Sequence, residues 1–343
     1  MREAFLAVMN PMLVLFLCIV IGFAVHRTHL LPENAGKVMA KMLTWIFYPA
    51  LAFMTMATYC TVENIKEHAV HMALASFCVA LAVAIALCLS RLFVPQKCYE
   101  RGVYNYALAF ANSGYLGDPL VQAIYGDMGL AYYKLYCLPL CLVIYTWGVG
   151  QMVPAEEGGW KGILKKLATP PNVAMLAGMA VGLLTVPVAR AVSPEALAAV
   201  TRVQAPLTSV LNALKACMGP VAMILAGFTV ASYSVPGMLK IKKVYVATFL
   251  RLLVIPAVII AALFGVKSLV NLWVEPDIGD LPLFLCFFSV ATPLGLNTII
   301  FPEAYGGDPE PGASMALISN TLGVISLPLL YALMIAFFGS PVF

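Results

Sequence analysis

Two short stretches hold the polar residues set deepest in apolar sequence. One reads Asn112-Ser113-Gly114-Tyr115-Leu116-Gly117-Asp118-Pro119, the other Ala291-Thr292-Pro293-Leu294-Gly295-Leu296-Asn297-Thr298. Similar sequence follows each: Ala123-Ile124-Tyr125-Gly126-Asp127 after the first, Ala304-Tyr305-Gly306-Gly307-Asp308 after the second. Within a helix, glycine is about 1 kcal/mol worse than alanine and proline about 3. Proline also leaves a carbonyl unpaired. Such breaks expose half-helix ends: free N–H groups that favour an anion, and carbonyls that favour a cation or proton donor. Asn112, Thr292, Asn297 and Thr298 add neutral donors and acceptors suited to a carboxylate. This is binding chemistry. Its candidate residues are Asn112, Gly114, Asp118, Thr292, Pro293 and Asn297, with Gly117, Pro119 and Pro293 making the breaks.

Charged residues sharpen the reading. An ionised carboxylate inside a bilayer is expensive unless paired or hydrated. Asp118 therefore either caps a half-helix that starts at Pro119 or acts as a coupling or binding group. Arg251 lies about two turns inward from the Lys240–Lys243 edge; it either snorkels, contacts an anionic substrate, or is the charge partner of Asp118. Lys215, near the start of its segment, is expected to snorkel. Ser319-Asn320-Thr321 is a polar cluster in the last apolar run, placed to bridge helices or, through Asn320, to reach a substrate.

The elements that must position these residues are membrane helices. The chain is 62% hydrophobic and 10% charged, with mean hydropathy +0.93; soluble domains run near 25% charged. Long apolar runs indicate helices rather than a barrel. The net charge of +4 is small and gives no reason to expect a nucleic-acid partner. Most cysteines sit in apolar segments with no Cys-x-x-Cys pair, and the pairs His26/His29 and His68/His71 lack a nearby third ligand, so neither a disulfide framework nor a metal site is expected. There is no Walker A sequence, no His-Glu-x-x-His and no Gly-x-Ser-x-Gly, so neither ATP-driven pumping nor an enzyme is indicated. No cofactor is expected beyond a coupling proton or sodium ion.

Ten segments have spanning length: 5–25, 38–58, 69–90, 102–124, 131–150, 171–189, 213–233, 244–266, 281–301 and 312–338. Loops on one side carry twelve Lys and Arg, among them Arg27, Arg91, Lys161 and Lys240; the other side carries six, including Lys66, Lys134 and Lys267. The basic side is cytoplasmic, which puts both termini outside. Ten spans divide as 1–150 and 171–343 around a cytoplasmic linker, 151–170. A half with an odd number of spans inserts opposite to its twin, which is the arithmetic of an inverted repeat. Broken segments at matching places in two such halves point to a transport site at mid-membrane. Pro49 and Pro220 form a weaker matching pair in the second segment of each half.

Asn112-x-Gly114-x-x-Gly117-x-Pro119 resembles the fourth-helix signature of the auxin efflux carrier family, whose bacterial branch holds malate and malonate permeases. Tyr145-Thr146-Trp147-Gly148, Pro170-Pro171-Asn172 and Ala291-Thr292-Pro293 with Asn297 are also similar to that family. The resemblance implies an all-α protein of ten helices in two inverted five-helix repeats, with crossed broken helices and a fold similar to bile-acid/sodium symporters. It implies a scaffold of helices one and two with their repeat mates, which would offer a homodimer surface, and a mobile domain moving like an elevator. Asn112 and Asn297 would lie near a substrate carboxylate. The expected function is a secondary transporter of a small organic anion in the cytoplasmic membrane. The alternatives are a proton- or sodium-coupled symporter using Asp118, and a membrane receptor that binds without transporting. Asp118 departs from the family pattern, where that position is often apolar.

Overall fold

The computed structural model describes residues 2–96, 98–152, 169–191, 193–238, 240–273 and 279–339. Lys97 and most of the expected linker, 153–168, lie outside them. The described residues are helical, apart from loops and a single two-residue bridge. In chain order we label α1 Arg2–Arg27, α2 Ala35–Tyr59, α3 Ala69–Phe93, α4 Tyr99–Ala109, α5 Asp118–Tyr136, α6 Leu138–Met152, α7 Pro170–Ala191, α8 Pro194–Ala231, α9 Lys242–Val270, α10 Leu281–Val290, α11 Asn297–Tyr305 and α12 Glu310–Phe338. Short turns of helix join some of them, such as Val62–Glu67, capped by Thr61.

Among the described residues, six helices are long and apolar enough to cross a membrane: parts or all of α1, α2, α3, α8, α9 and α12. A seventh results if the stretch Met128–Tyr136 and α6, bent by 48°, count as one span. The ten segments read from sequence are therefore not ten full-length helices. The physical reason is visible at the breaks. The fourth segment stops as α4 at Ala109 and resumes beyond Asn112, and the ninth stops as α10 at Val290 and resumes as α11. The seventh differs the other way: α8 begins at Pro194, where a proline in the first turn and an alanine-rich run start a helix before the apolar part Ala205–Ala231.

Prolines shape the long helices through π-type turns. Leu43–Phe47 ends one residue before Tyr48-Pro49, and Leu250–Val254 one residue before Ile255-Pro256. A proline ring clashes with the carbonyl four residues back. A wider turn relieves that clash and keeps the chain helical. Pro220, by contrast, lies inside a helix that continues through it.

Packing separates two groups of helices. In one, α1 lies along α8 and α2 along α7, with α2 also touching α8. Small residues let these backbones approach. A methyl on Gly22 would lie 1.9 Å from the Ile224 carbonyl oxygen, and one on Gly227 1.9 Å from that of Ile19. Gly178 and Gly182, spaced four apart on α7, would meet the Phe53 and Met56 carbonyls in the same way. In the other group, α3 packs on α4 and α9, α9 on α10 and α12, and α11 on α12. The groups meet where α1 and α8 touch α12 and where α2 touches α11. Both breaks lie in the second group.

Candidate site at the helix crossing

The two breaks cross each other. After α4, Phe110 is extended, and Ala111 forms an antiparallel bridge with Leu294 of the second break. The Asn112 N–H donates to the Pro293 carbonyl at 2.8 Å. Helix resumes at once on the first chain. The Asn112 carbonyl accepts from Leu116 and Gly117 through the π-type turn Ser113–Gly117, which runs into α5. On the second chain α11 starts at Asn297, and the Leu296 carbonyl accepts from Ile299 and Ile300.

Backbone groups freed by the breaks find protein partners, as a low-dielectric interior requires. Ser319 Oγ on α12 accepts from the Leu294 N–H at 2.9 Å. Tyr133 Oη donates to the Ser113 carbonyl at 3.1 Å. Arg251 Nη1 donates to the Val290 carbonyl, the last of α10, at 2.7 Å. Gly295 lets the strands touch, since a methyl there would come within 3.1 Å of the Ala111 oxygen. Pro293 packs its ring on α12 at Gly323, where a methyl would sit 2.3 Å from Pro293 Cγ.

Around this frame lies a ring of neutral polar groups. Asn297 Oδ1 accepts from Tyr48 Oη at 3.3 Å and from Tyr115 Oη at 3.5 Å, while its Nδ2 donates to Tyr106 Oη at 2.5 Å. Tyr48 and Tyr115 also meet edge to face. Tyr48 belongs to α2, in the group of helices that does not contain the breaks, so this cluster ties the two groups together. Asn112 differs. Both its amide atoms are buried and have no hydrogen-bond partner among the described residues, and the same holds for Thr292 Oγ1. A buried amide left unpaired is costly. Beside it Gly114 is only half-buried, and a methyl there would meet nothing within 4 Å.

The charges are arranged otherwise than the sequence suggests. Asp118 does not cap a half-helix, because helix already begins at Ser113; it sits inside the helical run with φ −56° and ψ −54°. Nor is Arg251 its charge partner. Asp118 pairs with Lys134, on the far side of the turn at Gly126 where φ is +69°. Lys134 is thus a buried pair member rather than a loop residue that votes on orientation. Arg251 does not snorkel either: it is 2% exposed and is held on Val290. Asn320 turns back on its own helix, its Nδ2 donating to the Ala316 carbonyl at 2.8 Å, and it borders an apolar cavity of about 170 Å³ with Phe16, Ile19 and Phe23. The structure therefore brings together Asn112, Gly114, Thr292, Pro293 and Asn297, and sets Asn320 apart from their hydrogen bonds.

Sequence reasoning missed the phenols, Tyr48, Tyr106 and Tyr115, and also Lys134. Only Tyr48 and Tyr115 had a signal, through adjacency to Pro49 and Gly114.

A bundle of apolar helices with two interrupted ones crossing at its centre is a polytopic membrane protein of transporter type. The sequence profile of the membrane transport protein family, the auxin efflux carrier family, matches residues 7–331, and the chain belongs to that family. No curated protein sequence matches it.

Proposed function

We propose that this membrane transporter is a secondary carrier of a small organic anion, with a dicarboxylate the leading candidate. The observation that carries this reading is the crossing itself: buried neutral donors, an unpaired Asn112 amide and Thr292 hydroxyl, and two helical stretches that start beside it, at Ser113 and Asn297. A carboxylate would accept from Asn112 Nδ2 and the Thr292 hydroxyl. Alternating access would proceed by an elevator-like motion, in which the group holding the breaks slides on α1, α2, α7 and α8. The tight glycine contacts among α1, α2, α7 and α8 suit a fixed scaffold, which would also serve as a homodimer surface. Ten crossings in two inverted halves, with both termini outside the cytoplasmic membrane, are part of this reading. The test is uptake of labelled malate and of a panel of other carboxylates into proteoliposomes. Saturable uptake supports transport; saturable binding without uptake would make the protein a receptor.

A second reading, coupling to protons or sodium through Asp118, draws on the burial of the Asp118–Lys134 pair. Here Lys134 already supplies the cation, and coupling would require it to let go during the cycle. Uptake with and without each imposed gradient, in wild type and in Asp118→Asn, decides between them. Uptake indifferent to both gradients removes the coupled reading.

A further inference from the structure

Among the described residues no cation is in contact with the polar ring of the crossing, yet an anion bound there would face two kinds of pole. The N–H ends of the resumed helices attract it. The carbonyl ends, each equivalent to about half a negative charge, repel it. At the end of α10 that repulsion meets a specific counterpart. Arg251, in the π-type turn Leu250–Val254 of α9, holds the Val290 carbonyl with Nη1. Its Nε and Nη2 are buried and have no hydrogen-bond partner among the described residues, and no carboxylate pairs with it there. A full positive charge thus covers a partial negative one. It also lies next to the crossing, since Arg251, Leu294, Ser319 and Thr248 line one small cavity of about 10 Å³. That is the space of a single water, too small for a carboxylate. Arg251 therefore acts on the site through the field, without touching its ligand.

We propose that Arg251 is the residue that sets the charge selectivity of the crossing. By more than cancelling the carbonyl pole of α10, it leaves the N–H poles to dominate, so the site prefers an anion to the neutral molecule of the same shape. This rests on the organic-anion reading above. A unit charge about 10 Å away, at an effective dielectric near 20, changes an anion's affinity on the order of tenfold. The unpaired hydroxyl of Thr248, one turn before Arg251 on the same helix, provides a way to cancel the charge without deleting the side chain that carries it.

The experiment is competition of labelled malate uptake by unlabelled malate and by malamide, its uncharged counterpart, in proteoliposomes of the full chain. In wild type the acid competes better than the amide. In Arg251→Gln, and in Thr248→Asp, which sets a carboxylate against the guanidinium, that preference falls on the order of tenfold. Arg251→Lys and the neutral Thr248→Asn keep most of it. Loss of malate uptake in Thr248→Asp with uptake kept in Thr248→Asn counts the same way. If Arg251→Gln does not fold, the Thr248 pair alone carries the comparison. An unchanged acid-to-amide ratio in Thr248→Asp overturns the inference and leaves organic-anion transport standing. Uptake of neither malate nor any other carboxylate of the panel by wild type overturns both.

Discussion

The two breaks do the same thing to the backbone and the opposite thing with their side chains. Each supplies one strand of the antiparallel crossing. In the second, most of the chain is held: Leu294 by Ser319, Val290 by Arg251, Asn297 by the hydroxyls of three tyrosines, with the Thr292 hydroxyl left unpaired among the described residues. In the first, the Asn112 amide is unpaired, open space lies beside Gly114, and Asp118 is neutralised internally by Lys134. A buried group left without a partner carries a penalty that a ligand would relieve. The contrast assigns roles, with the second break mainly the frame and the first, joined by the Thr292 hydroxyl, the face a ligand approaches.

The comparison breaks first, and by the largest margin, at the ion pair. Asp118→Asn leaves Lys134 buried without its anion, and should lower the unfolding free energy in detergent by about 3–5 kcal/mol. Replacing both, Asp118→Asn with Lys134→Met, should recover most of that loss, because two neutral groups no longer need each other. Thermal or denaturant unfolding of the three variants measures it. If the double variant is no more stable than the single one, the pair does something other than neutralise itself. Coupling through Asp118 then gains weight.

Within the first break, two glycines three residues apart separate framework from open space. A methyl on Gly117 would lie 2.5 Å from Tyr133 Oη and 3.3 Å from the Phe288 carbonyl. Gly117→Ala should destabilise by about 1–3 kcal/mol through overpacking. Gly114→Ala meets nothing within 4 Å and should leave unfolding nearly unchanged. Its effect belongs in uptake, as a higher half-saturation concentration with little loss of maximal rate. Equal destabilisation by both would mean that the space beside Gly114 closes on folding.

How much of this was legible in the sequence depends on which force decided each feature. The breaks are legible because glycine and proline act locally, whereas their crossing is implied by the resemblance to the auxin efflux carrier family and not by the residues themselves. Ser319 was marked as a helix bridge by being polar in an apolar run, and it does bridge α12 to Leu294. Full-length spans were over-read, since apolar runs such as 102–124 and 281–301 do not report where the backbone stops being helical. Of the two readings of Asp118, the cap on a helix starting at Pro119 fails because a π-type turn already carries the helix from Ser113 and writes no signature of its own. Partner choice was the least legible. By sequence Arg251 is the cation offered to Asp118 and Lys134 reads as a loop residue; the chain reversal at Gly126 is what brings Lys134 to the carboxylate. Tyrosines in apolar helices read as ordinary core, so the ring around Asn297 was invisible until long-range packing assembled it.

The smallest expected effect tests whether the frame is also the link between the two groups of helices. Tyr48→Phe removes one hydroxyl and keeps the ring against Tyr115. Asn297 Oδ1 keeps a second donor in Tyr115 at 3.5 Å, so no acceptor is orphaned. Stability should therefore fall by about 1 kcal/mol or less. Transport should respond differently from stability, because Tyr48 is the member of the cluster on α2 and the other members lie with the breaks. If the two groups slide past each other, the Tyr48–Asn297 bond must break in every cycle. Its loss should raise the maximal uptake rate or leave it unchanged. A bond that persists through the cycle would instead position Asn297, and its loss would lower the rate. The initial rate at saturating malate, wild type against Tyr48→Phe at matched protein, separates a sliding contact from a fixed one.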